Sequence, residues 1–527
     1  METWHDLWNP AAIFAVSGTI GMAASSWPAA RRWIAPWCLL ALSLALWSWS
    51  DAAADDLSRG TNTVSIVWAA LLIALQSPSR LGTLSRLDLP LQFVLLAGLC
   101  LMAQAGDVVT LFLGLQLISV GTRVLTSPER ASGRPIFDGH SPLPWLLLLG
   151  FVLLMAVTGS TRIETISEAL RTSYVHQDSA SFKIAGGGSR VLTLSAILIG
   201  TALAGYAVCV PFHFPFVVPP SGGRDEILRL KAERRTDATS LLLPRAAVLI
   251  AWAKLWPATI IASESSAQLL VGVLAAVTSV VPLLQARVER SLIRQWWLLA
   301  VAQGGWLLLA VMVWSFGKKV PGESAARLIV EWNLPSAIQA AWLLLLMDGV
   351  ALIGLIGVLT YLRRRERPVD FVDDLRGLLH SEPIAAVCAC VCLLSLSGLP
   401  LLAGFWSRLF IALQAMNVRG EWGPPHLLIP QDGLLLLTAF MGLSTVWSSS
   451  IAMQSVWTML FGLPVGQPRP SGSVSSLFSA VLASVVLIGC GVLPGPLLSW
   501  LCAPRVEQHT RQQPQTAPAV GDQGGTR

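Results

Sequence analysis

The chain has 527 residues, 54% of them hydrophobic and 13% charged, with a mean hydropathy of +0.63. That composition is the one of a polytopic membrane protein and excludes a soluble enzyme with a single anchor, because segments outside the apolar runs reach only about thirty residues and cannot build a core. The formal net charge of +6 is spread over the loops, so the expected surroundings are the lipid bilayer, and no nucleic acid is expected as a partner.

In chain order, apolar runs of spanning length fall near 10–27, 33–50, 62–77, 89–105, 108–126, 143–159, 190–213, 239–258, 267–286, 291–315, 337–362, 382–416, 431–461 and 474–502, about fourteen in all. The N-terminus carries Glu2, His5 and Asp6 and no basic region, so the first run is expected to be retained as a span and not removed as a secretory signal. Connections after odd-numbered runs hold Arg31 and Arg32, Arg80 and Arg86, Arg130 and Arg134, the cluster at 224–235, Arg287 and Arg290, the cluster at 363–367, and Arg469. Those after even-numbered runs hold Asp51, Asp55 and Asp56, then Asp107, then Glu164 and Glu168, then Glu264. Basic loops stay on the cytoplasmic side, so this pattern places both termini on the outer, periplasmic side and agrees with an even number of spans. The segment 221–239, SGGRDEILRLKAERRTDAT, reads as a charged cytoplasmic loop with a short amphipathic helix, and the tail 507–527 as disordered. Twenty-two tryptophans against three tyrosines suit interfacial anchoring. The eight cysteines lie in apolar runs, cluster only at Cys388, Cys390 and Cys392, and form no CxxC pair, so they read as small packing residues and not as cluster or zinc ligands.

The run at 383–416 organises the rest. Gly398, Pro400 and Gly404 interrupt it, and a proline removes a backbone donor and clashes one turn back, so the helix should break near 399–403. Backbone freed at membrane depth must be covered by protein or water. Arg408 follows the break and would cost roughly 2.5–3.5 kcal/mol facing lipid, so it either faces a polar interior or snorkels to the headgroups.

Six fragments in fixed order then carry a likeness: LLAGLCLMAQAGDVVTLFLGLQLISV (95–120), VTGSTRIETISEAL (157–170), VPFHF (210–214), LPRAAVLIAWAKLW (243–256), AVAQGGWLLLAV (300–311) and, within 373–410, DDLRGLLHSEP followed by LLSLSGLPLLAGFWSRLF. Together they resemble the antiporter-like membrane subunits of respiratory complex I, most of all the subunit N, or chain 2, family of NADH:quinone oxidoreductase, and more distantly the Mrp-type cation/proton antiporter subunits. The resemblance implies an all-α membrane fold of about 14 transmembrane helices with two inverted five-helix repeats and two discontinuous helices, the seventh near Pro211 and the twelfth around Pro400. Pro211, Pro244, Gly398, Pro400 and Gly404 are the residues expected to break helices. It divides the chain into N-terminal helices (1–88), an antiporter-like core (89–461), a C-terminal helix (462–503) and a tail (504–527).

Several positions depart from the family pattern. Gln116 stands where a glutamate is usual, Arg245 after Pro244 and Arg408 where lysines are usual, Tyr206 where another lysine is common, and Gln303 where a histidine is common; Ile293 and Arg294 align with a Lys–Arg pair, and His213 is kept. A switchable relay needs a lysine and a glutamate near their titration range, whereas arginine stays protonated and glutamine does not ionise. Gln116 and Arg245 therefore cannot form such a pair, although they can set the field along a polar axis. The titratable groups left near the apolar core are Asp107, Tyr206, His213, Lys254 and Asp348. Asp348 reads either as a functional carboxylate or as the structural partner of Arg294 or Arg408. His213 reads as a relay or as a structural histidine, and Lys254, near a helix end, as a snorkelling lysine.

The resemblance thus implies a membrane subunit of a proton-translocating NADH:quinone oxidoreductase, with other membrane subunits of a complex I-like assembly as partners. The chain itself is expected to bind no cofactor, since no dinucleotide fingerprint or cysteine ligand set is present; NADH, flavin, iron–sulfur clusters and quinone belong to partner subunits. Two other readings stay open: a non-pumping structural or assembly paralogue, and an Mrp-like ion/proton antiporter subunit.

Overall fold

The computed structural model describes residues 10–26, 34–48, 56–76, 88–126, 142–175, 188–213, 239–262, 266–317, 335–362, 371–417, 431–463 and 474–495. The helices among them are α1 (Pro10–Ser26), α2 (Ile34–Ser48), α3 (Asp56–Gln76), α4 (Asp88–Gln104), α5 (Val108–Thr126), α6 (Leu143–Thr158), α7 (Ile163–Val175), α8 (Gly188–Tyr206), α9 (Thr239–Ala262), α10 (Ser266–Val288), α11 (Leu292–Ala302), α12 (Gly304–Gly317), α13 (Ala337–Leu362), α14 (Leu378–Ser381), α15 (Pro383–Ser397), α16 (Ala403–Asn417), α17 (Gln431–Phe461) and α18 (Val474–Val492). Six stretches among the described residues are long and apolar enough to cross a membrane: Val108–Leu125, Leu269–Val288, Leu292–Trp314, Ala337–Leu362, Gly433–Phe461 and Val474–Val492.

Each apolar run within the described residues is a helix or a pair of half-helices, and the differences from expectation are local. Pro244 lies inside α9, which continues through it without a break. It stands in the second turn, where it removes one bond near the helix start, and Pro282 is likewise carried inside α10. A proline therefore does not break these helices unaided; the break at 398–402 combines Pro400 with left-handed backbone at Gly398 (φ 86°) and Leu401 (φ 77°). Gly404 lies just past that break, in the first turn of α16. The connection carrying Glu164 and Glu168 forms α7, which packs against α9. The tenth run, expected as one helix, divides into α11 and α12 at Gln303. The seventh run leaves the helix after Tyr206, so Pro211 lies in a turn past its end, in line with the discontinuity expected there. The amphipathic helix expected before Thr239 and the disordered tail lie outside the described residues.

Antiparallel backbone bridges join Asp107 to Arg162 and Ser291 to Phe371. The first ties together two even-numbered connections and the second two odd-numbered ones, as alternating up and down spans require.

Which helices are central is decided by small residues. Helices α13 and α17 are both apolar around most of their circumference and yet differ widely in burial, so periodicity does not separate a buried helix from an outward-facing one. Residues 295–313 are buried throughout within the chain, whereas only about a third of Gly433–Phe461 is buried. Glycines let neighbours close on α13: a Cβ at Gly354 would lie 2.7 Å from Cys392 Sγ, and one at Gly357 2.7 Å from the Ser476 carbonyl. Between α3 and α13 the fit is reciprocal, Trp342 against Gly60 and Trp68 against Gly349, with Cβ atoms there falling 2.5 and 2.2 Å from indole atoms. Both indoles are fully buried and have no room to yield. Gly349→Ala is expected to destabilise the protein by about 1–3 kcal/mol. The thermal unfolding midpoint in detergent should fall, while Gly442→Ala, where a Cβ meets nothing within 4 Å, should leave it unchanged.

Candidate functional site

Helix α15 ends in a Schellman cap. Gly398 in the left-handed region donates its N–H to the Ser395 carbonyl (3.1 Å), and Leu399 N–H reaches the Leu394 carbonyl (3.0 Å). Two of the last four carbonyls remain. Ser449 Oγ donates to that of Ser397 (3.3 Å), and Arg408 Nη2 to that of Leu396 (2.6 Å). The guanidinium also donates from Nη1 to the carbonyls of Gly404 (2.6 Å) and Ser395 (3.5 Å), and from Nε and Nη2 to Gln303 Oε1 (3.0 and 2.8 Å). Arg408, buried at 4% exposure, is therefore a helix cap turned inward and not a snorkelling residue. Gly398 must be glycine on two counts, its φ and the 2.7 Å that would separate a Cβ from Arg408 Nη1.

Arg245 does the same at two other ends. It donates from Nε to the Ala207 carbonyl (3.1 Å), just after α8, and from Nη1 and Nη2 to those of Ala300 (2.7 Å) and Val301 (3.0 Å), in the last turn of α11. A Cβ at Gly304 would stand 2.9 Å from Arg245 Nη2. Both buried cations thus converge on residues 300–304, Arg245 through backbone carbonyls and Arg408 through the Gln303 side chain. The hitch is built for this: Gly304 and Gly305 permit the kink, and the Gln303 side chain turns back to the Leu299 carbonyl (3.2 Å) while its oxygen faces Arg408.

Asp348 on α13 completes the cluster, with Oδ1 3.5 Å from Arg408 Nη2 and its charge also felt by Arg245. Of the two arginines proposed from sequence as its partner, Arg408 is the one paired with it. Arg294 is half-buried near the start of α11, nine residues and about 13 Å of helix rise from the hitch.

The remaining candidates sit apart from this hub. Gln116 Nε2 donates to Tyr206 Oη (2.8 Å), so two positions that both depart from the family pattern form one neutral hydrogen bond. His213, buried, shares a hydrogen bond between Nε2 and Gln285 Oε1 (2.9 Å), and the Val210 N–H beside Pro211 donates to Thr278 Oγ1 (3.1 Å). Lys254 Nζ donates to the Ala105 carbonyl (2.6 Å), so it neutralises the C-terminal end of α4 where sequence reasoning has it snorkel. Among the described residues no group of three His, Cys, Asp or Glu side chains is placed to hold a metal ion. Sequence reasoning did not find Ser395 or Gln285, and saw in Gln303 only a departure; the buried charge of Arg408 was the available signal, since a desolvated guanidinium requires nearby acceptors.

The fork geometry yields a ranking. Arg408→Lys restores the residue usual in the family but offers three donors where five are engaged, and Arg408→Met leaves the Leu396 carbonyl and Asp348 without a cation. The expected losses are about 1–3 kcal/mol for lysine and about 3–5 for methionine, read as successive falls in the unfolding midpoint of the purified protein. A lysine variant as stable as wild type would contradict this account.

Residues 327–424 match the protein family described as "NADH:quinone oxidoreductase/Mrp antiporter, TM". NADH-quinone oxidoreductase subunit N 1 of Sorangium cellulosum is 26% identical over 415 residues, covering 75% of this chain and 72% of that protein. In fold, the chain is similar to one from respiratory complex I of Thermus thermophilus with bound aureothin (TM-score 0.64, 19% identity, 93% of this chain and 98% of that one). It is also similar to a chain of the Mrp complex from Dietzia sp. DQ12-45-1b (TM-score 0.69, 17% identity, 95% and 97%). Sequence and fold together show this integral membrane chain to be a divergent relative of the antiporter-like membrane subunits of respiratory complex I, subunit N among them.

Proposed function

We propose that the chain is a membrane subunit of a proton-translocating NADH:quinone oxidoreductase, supplying a polar axis and proton path driven by redox chemistry in partner subunits. The observation that carries this reading is the hub itself: two buried guanidiniums and a carboxylate gathered where two spanning helices break, in a chain related to subunit N. NADH, flavin, iron–sulfur clusters and quinone reside in the partners, and this chain performs no redox step.

The finer architecture is part of the proposal. About fourteen spans are divided into helices 1–88, a translocating core 89–461, a last helix within 462–503 and a tail 504–527. The core comprises two inverted five-helix repeats. In support, a glutamine on the fifth span (Gln116) bonds the residue that ends the first half of the seventh (Tyr206), and five spans later a glutamine on the tenth (Gln303) bonds Arg408 on the broken twelfth. The membrane is the bacterial plasma membrane with both termini outside; the alternation of basic and acidic connections and their pairing by backbone bridges support that orientation. Gln116, His213, Arg245, Lys254, Arg294, Asp348 and Arg408 line or position the path.

Two observations favour other readings. The likeness in fold to the Mrp chain supports an ion/proton antiporter subunit, and the neutral Gln116–Tyr206 pair supports a scaffold that does not pump. Isolation of the tagged chain from native membranes, followed by NADH-driven proton uptake in vesicles, separates them. Redox subunits are expected to co-purify, and Arg408→Ala to lower uptake in assembled complex. Unchanged uptake in Arg408→Ala and in Gln116→Glu would make this a scaffold, and antiporter-type chains without redox subunits would favour the Mrp reading.

A further inference from the structure

Arg408 carries five N–H bonds, and every one is already directed at an acceptor other than Asp348. Nε and one Nη2 hydrogen go to Gln303 Oε1, the other Nη2 hydrogen to the Leu396 carbonyl, and the two on Nη1 to the carbonyls of Gly404 and Ser395. Asp348 Oδ1 lies 3.5 Å from Nη2 and takes part in no hydrogen bond. A counter-ion placed to stabilise an arginine normally accepts from its fork, often through two parallel bonds. Here the carboxylate is held beside the cation by charge alone, with open lone pairs on a fully buried oxygen.

The surroundings isolate it further. Asp348, at 4% exposure, is the one acid among the buried side chains of the described residues. The helices packed against α13 bring few charges: Arg408 from α16, Arg245 and Lys254 from α9, and Asp56 and Arg59 at the start of α3, with none on α12, α15 or α18. The arginines are fixed charges, so the charge of the cluster changes only if that of Asp348 changes. Such a change breaks nothing, because the caps on α11 and α15 are made by the guanidiniums and involve neither carboxylate oxygen.

We propose that Asp348 is the proton-exchanging group of this chain, binding the transported proton at its carboxylate and releasing it beside Arg408, which serves as the fixed counter-cation. The step forms and breaks a single O–H bond: the proton is received from water on one side and returned to water on the other, with no electron transferred. This deepens the proposed function and rests on it. Relative to the family pattern the polarity is inverted, for the cation is permanent and the acid titrates.

The test uses the intact complex isolated through the tagged chain. Infrared difference spectra between its protonated and deprotonated states should contain a carboxyl C=O stretch that disappears in D348N and moves in D348E. In vesicles the number of protons taken up per NADH oxidised should fall in D348N and be retained in D348E. A spectrum in which no carboxyl band changes in either variant, or a proton-to-NADH ratio in assembled D348N equal to wild type, would overturn the proposal. If D348N fails to assemble, the displaced band in D348E decides. Absence of NADH-driven uptake in wild-type vesicles would instead defeat the proposed function, and the infrared assignment of Asp348 would still be read independently.

Discussion

Inside a bilayer, a helix that breaks exposes carbonyls that water cannot reach, and this structure depends on where those carbonyls find donors. They find them in two arginines. Arg245 covers the end of α8 and the last turn of α11, and Arg408 covers the end of α15. Each guanidinium brings several donors in a rigid plane, so one side chain satisfies carbonyls from different segments and fixes their relative position. The desolvation of the cation and that of the freed backbone, each unfavourable alone, are relieved by the same bonds.

This arrangement explains why arginine at these positions is not equivalent to lysine. An ammonium has three donors and loses its proton readily when buried, which suits a relay; a guanidinium has five and keeps its charge, which suits a cap. Reinforcing the breaks in this way removes the cation from acid–base chemistry and leaves that chemistry to a neighbouring acid. At the other polar site Gln116 and Tyr206 share a hydrogen bond between an amide and a phenol, which holds two helices together and carries no charge to switch.

Much of this was legible in the sequence because hydrophobic run length is a strong signal. The apolar helices and the break at 398–402 follow from apolar length and Gly and Pro placement, while the unfavourable free energy of a charge in lipid narrowed Arg408 only to a polar interior or the headgroups, and its carbonyl partners decide for the interior. The break at Gln303 did not follow, since a Gly–Gly pair in an apolar run is ordinary in membrane helices and its effect depends on Arg245 arriving from another helix. Pro244 misled for the complementary reason: a proline within the first turns removes few bonds. Nor could the sequence decide between Arg294 and Arg408 as the partner of Asp348. That choice depends on how α13 is rotated against α16, set by contacts such as Trp68 on Gly349, which no periodicity records.

The two polar sites meet different fates at one junction. Residues 300–304 receive Arg245 from the side of α8 and Arg408 from the side of α15, so a shift of the hitch alters the acceptors of both cations together. Toward α5 and α8 the polar pair is neutral, and toward α13 and α16 it is charged. A change in charge at Asp348 is therefore felt first by Arg408, then through Gln303 at the hitch, and by Arg245 on its far side. The kinked segment is buried throughout 295–313, so around the hitch it has no lipid face along which to relax and passes any displacement to the helices that enclose it. Coupling across this chain is in that sense a property of one backbone kink and the three charged side chains gathered around it.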